Sequence, residues 1–319
     1  MDKKYVIGVD IGGQTSKLGV VDARGNVLAQ SVIRTDTHED VNMYIKDLGD
    51  AIRALAAQVD GGMNSVRGVG MGVPNGNYYR GTIEFAPNLK WNGVIPLADL
   101  VSKEIGLPVA LTNDANAAAV GEMTYGAARG MKDFIMITLG TGVGSGIVIG
   151  GNVVYGHDGF AGELGHTTQV RTNGRQCACG KVGCLEAYAS AIGVARTARE
   201  ILETSDSKTS LRDLAWDKIS SKEVAEAASK GDQVAVDIFN FTGNMLGAAL
   251  ADFVAFSSPE AIILFGGLTK AGDLIKKPVV EGLNNNLMKL WKGKIPVEFS
   301  QLKESDAAIL GASALAWEL

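Results

Sequence analysis

Phe134-Ile-Met-Ile-Thr-Leu139-Gly140-Thr-Gly-Val-Gly144-Ser-Gly-Ile-Val-Ile149-Gly-Gly-Asn-Val-Val-Tyr155 carries the reading of the fold. Phe134–Leu139 is an apolar run of the length and β-branched character of a buried strand. A glycine turn, Gly140–Gly144, follows, then a second strand at Ser145–Ile149. Gly150-Gly151 turns the chain into a third strand at Asn152–Tyr155. The first third of the chain opens the same way. Strands at Val6–Asp10, Lys17–Asp22 and Val27–Ile33 are separated by Gly12-Gly13 and Gly25-Asn26, which predicts a β-meander. This self-similarity predicts two related α/β lobes with a cleft between them.

Outward from these repeats, Val41–Val59 places Ile45, Leu48, Ile52 and Leu55 at helical spacing. Val66–Val73 and Pro108–Thr112 read as strands, and Pro96–Ile105 as a helix. A small-residue helix capped by Asn113-Asp114 runs to about Ala128. Beyond Cys184 the pattern is mostly helical, through Ala191–Ser205, Ser221–Ser229 and Gln233–Phe256. A strand at Ala261–Phe265 ends in Gly266-Gly267, and the last helix runs from about Ser305 to Trp317. The 319 residues suffice for two domains, and Lys+Arg 30 against Asp+Glu 35 leaves no basic block for a nucleic-acid partner. The expectation is also of no membrane partner, because no stretch reads as approaching a spanning segment. With no signal sequence apparent, the three cysteines are expected reduced, in the cytoplasm.

Three glycine turns directly follow apolar strands: Asp10-Ile-Gly12-Gly13-Gln14-Thr15, Gly140-Thr141-Gly142-Val-Gly144, and Gly266-Gly267. Glycine lets backbone N–H groups approach a phosphate closely. None matches the Walker pattern, and singly each reads as a plain hairpin turn; three together point to phosphates. Asp10, ending its strand, is suited to a hydrated Mg2+ ion, which takes one or two carboxylates plus substrate phosphates. Asp114 has two readings: a helix cap, or a base kept ionised by the helix terminus at a strand end where α/β clefts open.

The three cysteines stand within eight positions, Cys177-Ala-Cys179-Gly-Lys-Val-Gly-Cys184. As buried thiols they would be inert. Around tight glycine turns they instead suit a structural Zn2+, which takes four ligands. Of the three histidines, His38 is remote, His166 is the favoured fourth ligand and His157 the reserve. Such a closed site leaves no position for a catalytic water. Glu163 and Glu186 flank it, as solvated carboxylates or as fixed readers of sugar hydroxyls. Trp91 reads as packing, and Asn88 as a turn cap or a contact.

Together these stretches resemble the ROK family (repressor, open reading frame, kinase), across essentially the whole chain. The resemblance rests on Leu139–Ile147, Gly156–His166, Cys177–Glu186, Asp10-x-Gly-Gly, Pro87-Asn88-Leu and Asn113-Asp114-Ala-Asn116. It implies a two-lobed actin-like ATPase fold of the ribonuclease H type, binding ATP and a sugar between the lobes. The smaller lobe would be 1–112, completed by the C-terminal helix 305–319, and 113–304 the larger lobe carrying the zinc. A homodimer or homotetramer is also implied.

By the resemblance, Asp114 is the general base on the sugar 6-hydroxyl. Asn88, Asn113, Asp114, Glu163, His166 and Glu186 contact the sugar, with His166 also a zinc ligand. Gly12–Thr15 and Gly140–Gly144 hold phosphates, and Gly266-Gly267 lies near the nucleoside. The chain departs from the pattern twice: Gln14 stands where threonine is common, and Asn75, in Gly72-Val-Pro-Asn75-Gly76, replaces a glycine. The expected activity is ATP:hexose 6-phosphotransfer, first to glucose. The alternatives are a kinase for N-acetylglucosamine or N-acetylmannosamine, and a non-catalytic sugar sensor. A repressor is disfavoured because the first strand begins by Tyr5.

Overall fold

A computed structural model describes residues 3–319, apart from the side chains of residues 304 and 305. Residues 1 and 2 of the span assigned to the smaller lobe therefore lie outside the described residues. The chain opens with strands β1 (Tyr5–Ile11), β2 (Thr15–Asp22) and β3 (Val27–Arg34), helix α1 (Val41–Ala56) and strand β4 (Val66–Val73). A small hairpin sheet follows, β5 (Gly76–Asn77), β6 (Thr82–Glu84) and β7 (Val94–Ile95), then α2 (Leu97–Ile105), β8 (Val109–Asn113) and α3 (Asp114–Tyr125). The second half repeats the opening with β9 (Phe134–Leu139), β10 (Val143–Ile149) and β11 (Asn152–Val153). Helices α4 (Glu186–Ala189), α5 (Ala191–Thr204), α6 (Ser221–Ser229) and α7 (Gln233–Ser257) come next. The chain closes with β12 (Ala261–Phe265), α8 (Asp273–Asn286), β13 (Val297–Phe299) and α9 (Glu304–Leu315).

The two large sheets have the same plan. One is ordered β3-β2-β1-β4-β8, the other β11-β10-β9-β12-β13. In each, the three opening strands pair antiparallel and the last two join in parallel. Parallel pairing needs crossovers, so the central strands are covered on both faces and read as continuous apolar runs. Each sheet backs a large core. One is built from β1, β4, α1 and α2 around Tyr44, Leu48, Ile52 and Met71; the other from β9, β12 and α5–α8 around Phe239, Leu250 and Leu264.

Helices α3 and α9 lie between the two sheets. Glycine makes that layer possible: a Cβ on Gly8 would stand 2.1 Å from the Ile309 carbonyl oxygen, and one on Gly70 1.9 Å from that of Ala312. The strands can therefore take α9 against their backbones. Where α3 and α9 cross, Gly121 meets Gly311, and Gly146 of β10 opposes Ala119 of α3.

The structure corrects several expected boundaries. α1 ends at Ala56 and α3 at Tyr125, where Gly126 takes over; the last helix ends at Leu315 and continues as a 3-10 turn, Ala316–Glu318. The hairpin β5–β7, helix α8 and strand β13 were not anticipated. α8 carries Pro278 inside it, a residue that normally argues against a helix interior. Its ring packs against α7 at Gly243, where a Cβ would stand 2.5 Å from the Pro278 Cβ. The expectation that no stretch approaches a membrane span also needs correcting. Among the described residues α7, 25 residues long, is apolar and long enough to cross one, but 56% of its most apolar window is buried inside the protein. An apolar helix of this kind is what a large core requires.

Candidate active site

A cleft of about 1180 Å³ opens where the two sheets face each other. Asp10, Asn88, Asn113, Asp114, Gly140, Thr141, Gly142, Gly144, Glu163, His166, Glu186 and Gly266 all line it. Residues more than 170 positions apart thus share one cavity, and Cys179 joins them at its wall. Gly12, Gly13, Gln14, Thr15 and Gly267 do not line it. The first four form the β1–β2 turn that follows Asp10, where Gly12 N–H donates to the Thr15 carbonyl at 3.0 Å. A Cβ on Gly13 would meet the Asn88 carbonyl oxygen at 2.7 Å, so this turn packs on the Pro87-Asn88 loop. The Gln14 carbonyl accepts from the Thr35 amide at 2.9 Å, tying the turn to the end of β3.

At the start of α3 the two readings of Asn113-Asp114 separate. The Asn113 side chain accepts from the Asn116 amide at 2.7 Å and is the helix cap. Asp114 is the first helical residue, its Oδ1 accepting the Ala115 amide at 2.9 Å. Burial pushes its carboxyl above the ordinary range, against the pull of its backbone hydrogen bonds. Desolvation is thus the larger effect on its titration, set against the favourable helix terminus and backbone hydrogen bonds. A raised carboxyl is a better proton acceptor, which suits a general base. Asp10 is pushed up to about 6 by burial and by the Asp114 charge, with Lys17 acting in the other direction. Two carboxylates desolvated side by side are a place that favours a cation.

The far wall comes from the loop after β11 and from the cysteine run. The Glu186 carboxylate accepts the Val143 amide at 3.0 Å, and a Cβ on Gly142 would stand 2.2 Å from its Oε2. Only glycine at 142 leaves that carboxylate its place. Burial raises the Glu163 carboxyl, the His166 charge opposes, and Asp114 and Glu186 add to the rise. His166, Cys177, Cys179 and Cys184 converge, with one ligand atom from each lying within 4.8 Å of the others. His157 is outside that group. A tetrahedral site with metal–sulfur bonds of about 2.3 Å has sulfur–sulfur edges of about 3.75 Å. Cys179 Sγ lies 3.7 Å from Cys184 Sγ, and Cys177 Sγ 3.7 Å from His166 Nδ1. The donor set and spacing fit a zinc ion.

Other residues went unrecognised in the sequence. Arg175 is buried within the metal loop, its Nη2 2.5 Å from Glu200, its Nη1 3.0 Å from the Ala187 carbonyl and its guanidinium 4.6 Å from the Tyr188 ring centroid. It braces the loop against α4 and α5. Glu84, Phe85, Thr138, Phe160 and Ile192 line the cleft as well. A lone glutamate or aromatic carries no local signal, so only the fold brings these to the site. Trp91 is buried against Tyr44, with ring centroids 4.5 Å apart, as its reading as packing anticipates.

The model of the family described as "ROK family" matches residues 6–318. The chain belongs to the ROK family. A glucokinase of Streptomyces coelicolor is 37% identical over 320 residues, covering 98% of this chain and 97% of that protein. One of Halalkalibacterium halodurans is 38% identical over 283 residues, covering 88% of this chain and 85% of that protein. Among solved structures, the ROK glucokinase of Streptomyces griseus in complex with glucose and AMPPNP superposes with a TM-score of 0.79 at 38% identity, covering 99% of this chain and all of that one. The two-lobed actin-like ATPase fold expected of the family is the fold of this ROK protein.

Proposed function

We propose that this chain is an ATP-dependent glucose kinase that transfers the γ-phosphoryl group of ATP to the 6-hydroxyl. The observation that carries the reading is the cleft itself. It holds a buried, proton-accepting Asp114, a set of amides and carboxylates suited to sugar hydroxyls, and glycine turns suited to phosphates. The glucokinase relatives and the glucose–AMPPNP complex of a relative support the same reading.

Phosphoryl transfer asks for positioning and charge stabilisation more than for covalent chemistry. Asn88, Asn113, Glu163, His166 and Glu186 orient the sugar. Asp114 accepts the proton of the 6-hydroxyl as its oxygen bonds to the γ-phosphorus, and the bond to the β-phosphate oxygen breaks to release ADP. Backbone amides of Gly140–Gly144 cradle phosphate oxygens, the turn Gly12–Thr15 packs behind Asp10 and the Asn88 loop, and Gly266 lies at the nucleoside. Asp10 would hold Mg2+, which neutralises phosphate charge when bound. His166, Cys177, Cys179 and Cys184 would hold a structural Zn2+. Burial pushes the Cys177 thiol up to about 12, so its thiolate would form only with a metal bound to it, the proton being released to solvent. When bound, the metal would fix His166 and Glu186 in the sugar wall.

We assign 1–112 with 305–319 to the smaller lobe and 113–304 to the larger, metal-bearing lobe. The docking of α9 on β1 and β4 supports that division. A homodimer or homotetramer is proposed on the family's precedent. The function is tested by ADP release with glucose, N-acetylglucosamine, N-acetylmannosamine, mannose and fructose. Glucose is expected to have the highest kcat/KM; turnover with none of the five would sink the proposal.

A further inference from the structure

The stretch Glu84-Phe85-Ala86-Pro87-Asn88-Leu89-Lys90-Trp91 runs along the smaller-lobe wall of the cleft. Glu84, Ala86, Leu89 and Trp91 are buried, and they anchor the stretch in the lobe's interior. Phe85 does the opposite. Set between two buried residues, it is 70% exposed and lines the cleft beside Asn88.

Its backbone is also unusual, at φ 50, a left-handed conformation that bulky residues avoid. That conformation is held from both sides: the Phe85 amide donates to the Gly93 carbonyl at 2.9 Å, and Asn75 Nδ2 donates to the Phe85 carbonyl at 3.2 Å and to that of Glu84 at 3.0 Å. Asn75 occupies the position where the family pattern has glycine. It keeps a glycine-like backbone, φ 49, which asparagine tolerates better than most residues. Its side chain adds the tie to Phe85 that a glycine cannot make.

A hexose presents two chemistries. Its rim of hydroxyls matches the amides and carboxylates of the cleft, while its C–H faces are apolar. Nothing in the polar set addresses those faces. An aromatic ring does, since its electron-rich face attracts polarised C–H groups and its area excludes water. Phe160 and Phe265 also line the cleft, but both are half-buried. Phe85 has a ring surface left open to a ligand, at the cost of backbone strain.

We propose that Phe85 is the platform on which the C–H face of the hexose lies, and that Asn75 is the positioning residue that holds it there. The inference rests on the kinase reading above and extends it to substrate affinity. The experiment measures glucose binding by calorimetry without ATP, and glucose KM and kcat, on the full chain. Phe85→Ala is expected to weaken Kd and raise KM about tenfold, with kcat within about threefold of wild type. Phe85→Trp, which keeps a ring, stays within about threefold in both. Asn75→Gly, matching the family pattern, raises KM by about threefold through loss of the tie. Phe85→Gly loses affinity as the alanine variant does, yet gains a few degrees in Tm by relief of strain. The Tm rise separates a strained platform from a packing residue.

Wild-type KM and Kd in Phe85→Ala overturn the platform while leaving the kinase reading intact. A changed sedimentation mass with unchanged KM also overturns it, since Phe85 would then be a subunit contact. Failure of the wild-type chain to bind or phosphorylate glucose overturns the reading beneath it.

Discussion

At the residue scale, the site turns on two carboxylates whose burial works against their charge. Burial, then the Asp114 charge, push the Asp10 carboxyl up to about 6 from an ordinary value of 3.8. The folded state therefore keeps a proton that the unfolded chain has released, and stability falls as pH rises from about 4 through about 6. Two pKa units correspond to about 3 kcal/mol, an upper figure for what charged Asp10 costs the metal-free protein near neutrality. Asp10→Asn is expected to unfold at higher denaturant concentration than wild type at about pH 7.5, with the difference closing near pH 4. An equal difference at both pH values contradicts this. The same titration predicts that kcat/KM falls below about pH 6 and that the break moves lower as Mg2+ is raised, because cation and proton compete for the carboxylate. A break that ignores Mg2+ would separate Asp10 from the metal. Little of this could be read locally. Asn113-Asp114 is a capping pair in any sequence, and only the hydrogen bond from Asn116 to Asn113 shows which residue caps and which is left to the cleft. Phe85 was silent because its left-handed backbone depends on Asn75 and Gly93, ten and eight positions away.

Among the elements, the cysteine loop and α9 matter most. The loop was legible because thiolates and glycines at close spacing have few other uses, whereas its brace, Arg175, is an ordinary arginine until α5 packs on it. Cys179→Ser is expected to drop zinc from about one per chain toward none and to raise glucose KM about tenfold or more, since His166 and Glu186 lose their anchor. Elemental analysis checks the first and steady-state kinetics the second; wild-type protein free of zinc would end the assignment. α9 was legible as a helix, and the resemblance joined it to the smaller lobe; its close approach depends on the bare backbones of Gly8 and Gly70. Gly70→Ala places a methyl 1.9 Å from the Ala312 carbonyl oxygen, so α9 must shift. A loss of about 1–3 kcal/mol in urea unfolding is expected, and an unchanged midpoint would mean that α9 is not held there. α8 was hidden by Pro278, a residue that argues locally against a helix interior.

For the whole molecule, the repeated strand–glycine–strand pattern was enough to anticipate two related sheets, and both carry the same strand order. What the pattern did not contain is how the sheets meet: through α3 and α9, a layer of glycine and alanine contacts with little periodic signal. That layer matters for function because α3 starts at Asp114, so the proposed base sits at the junction between the lobes. Closure of the lobes would exclude water, which otherwise competes with the sugar for the phosphoryl group. The central claim is transfer of the γ-phosphoryl group to the glucose 6-hydroxyl with Asp114 as the proton acceptor. The most direct test compares wild type with Asp114→Asn, following glucose 6-phosphate by phosphorus NMR and glucose binding by calorimetry. Wild type is expected to yield glucose 6-phosphate and ADP in equal amounts, while the variant binds glucose within a few-fold of wild type and loses about 10²–10⁴-fold in kcat. A variant that keeps near-wild-type kcat, or a product phosphorylated at another hydroxyl, would contradict the account.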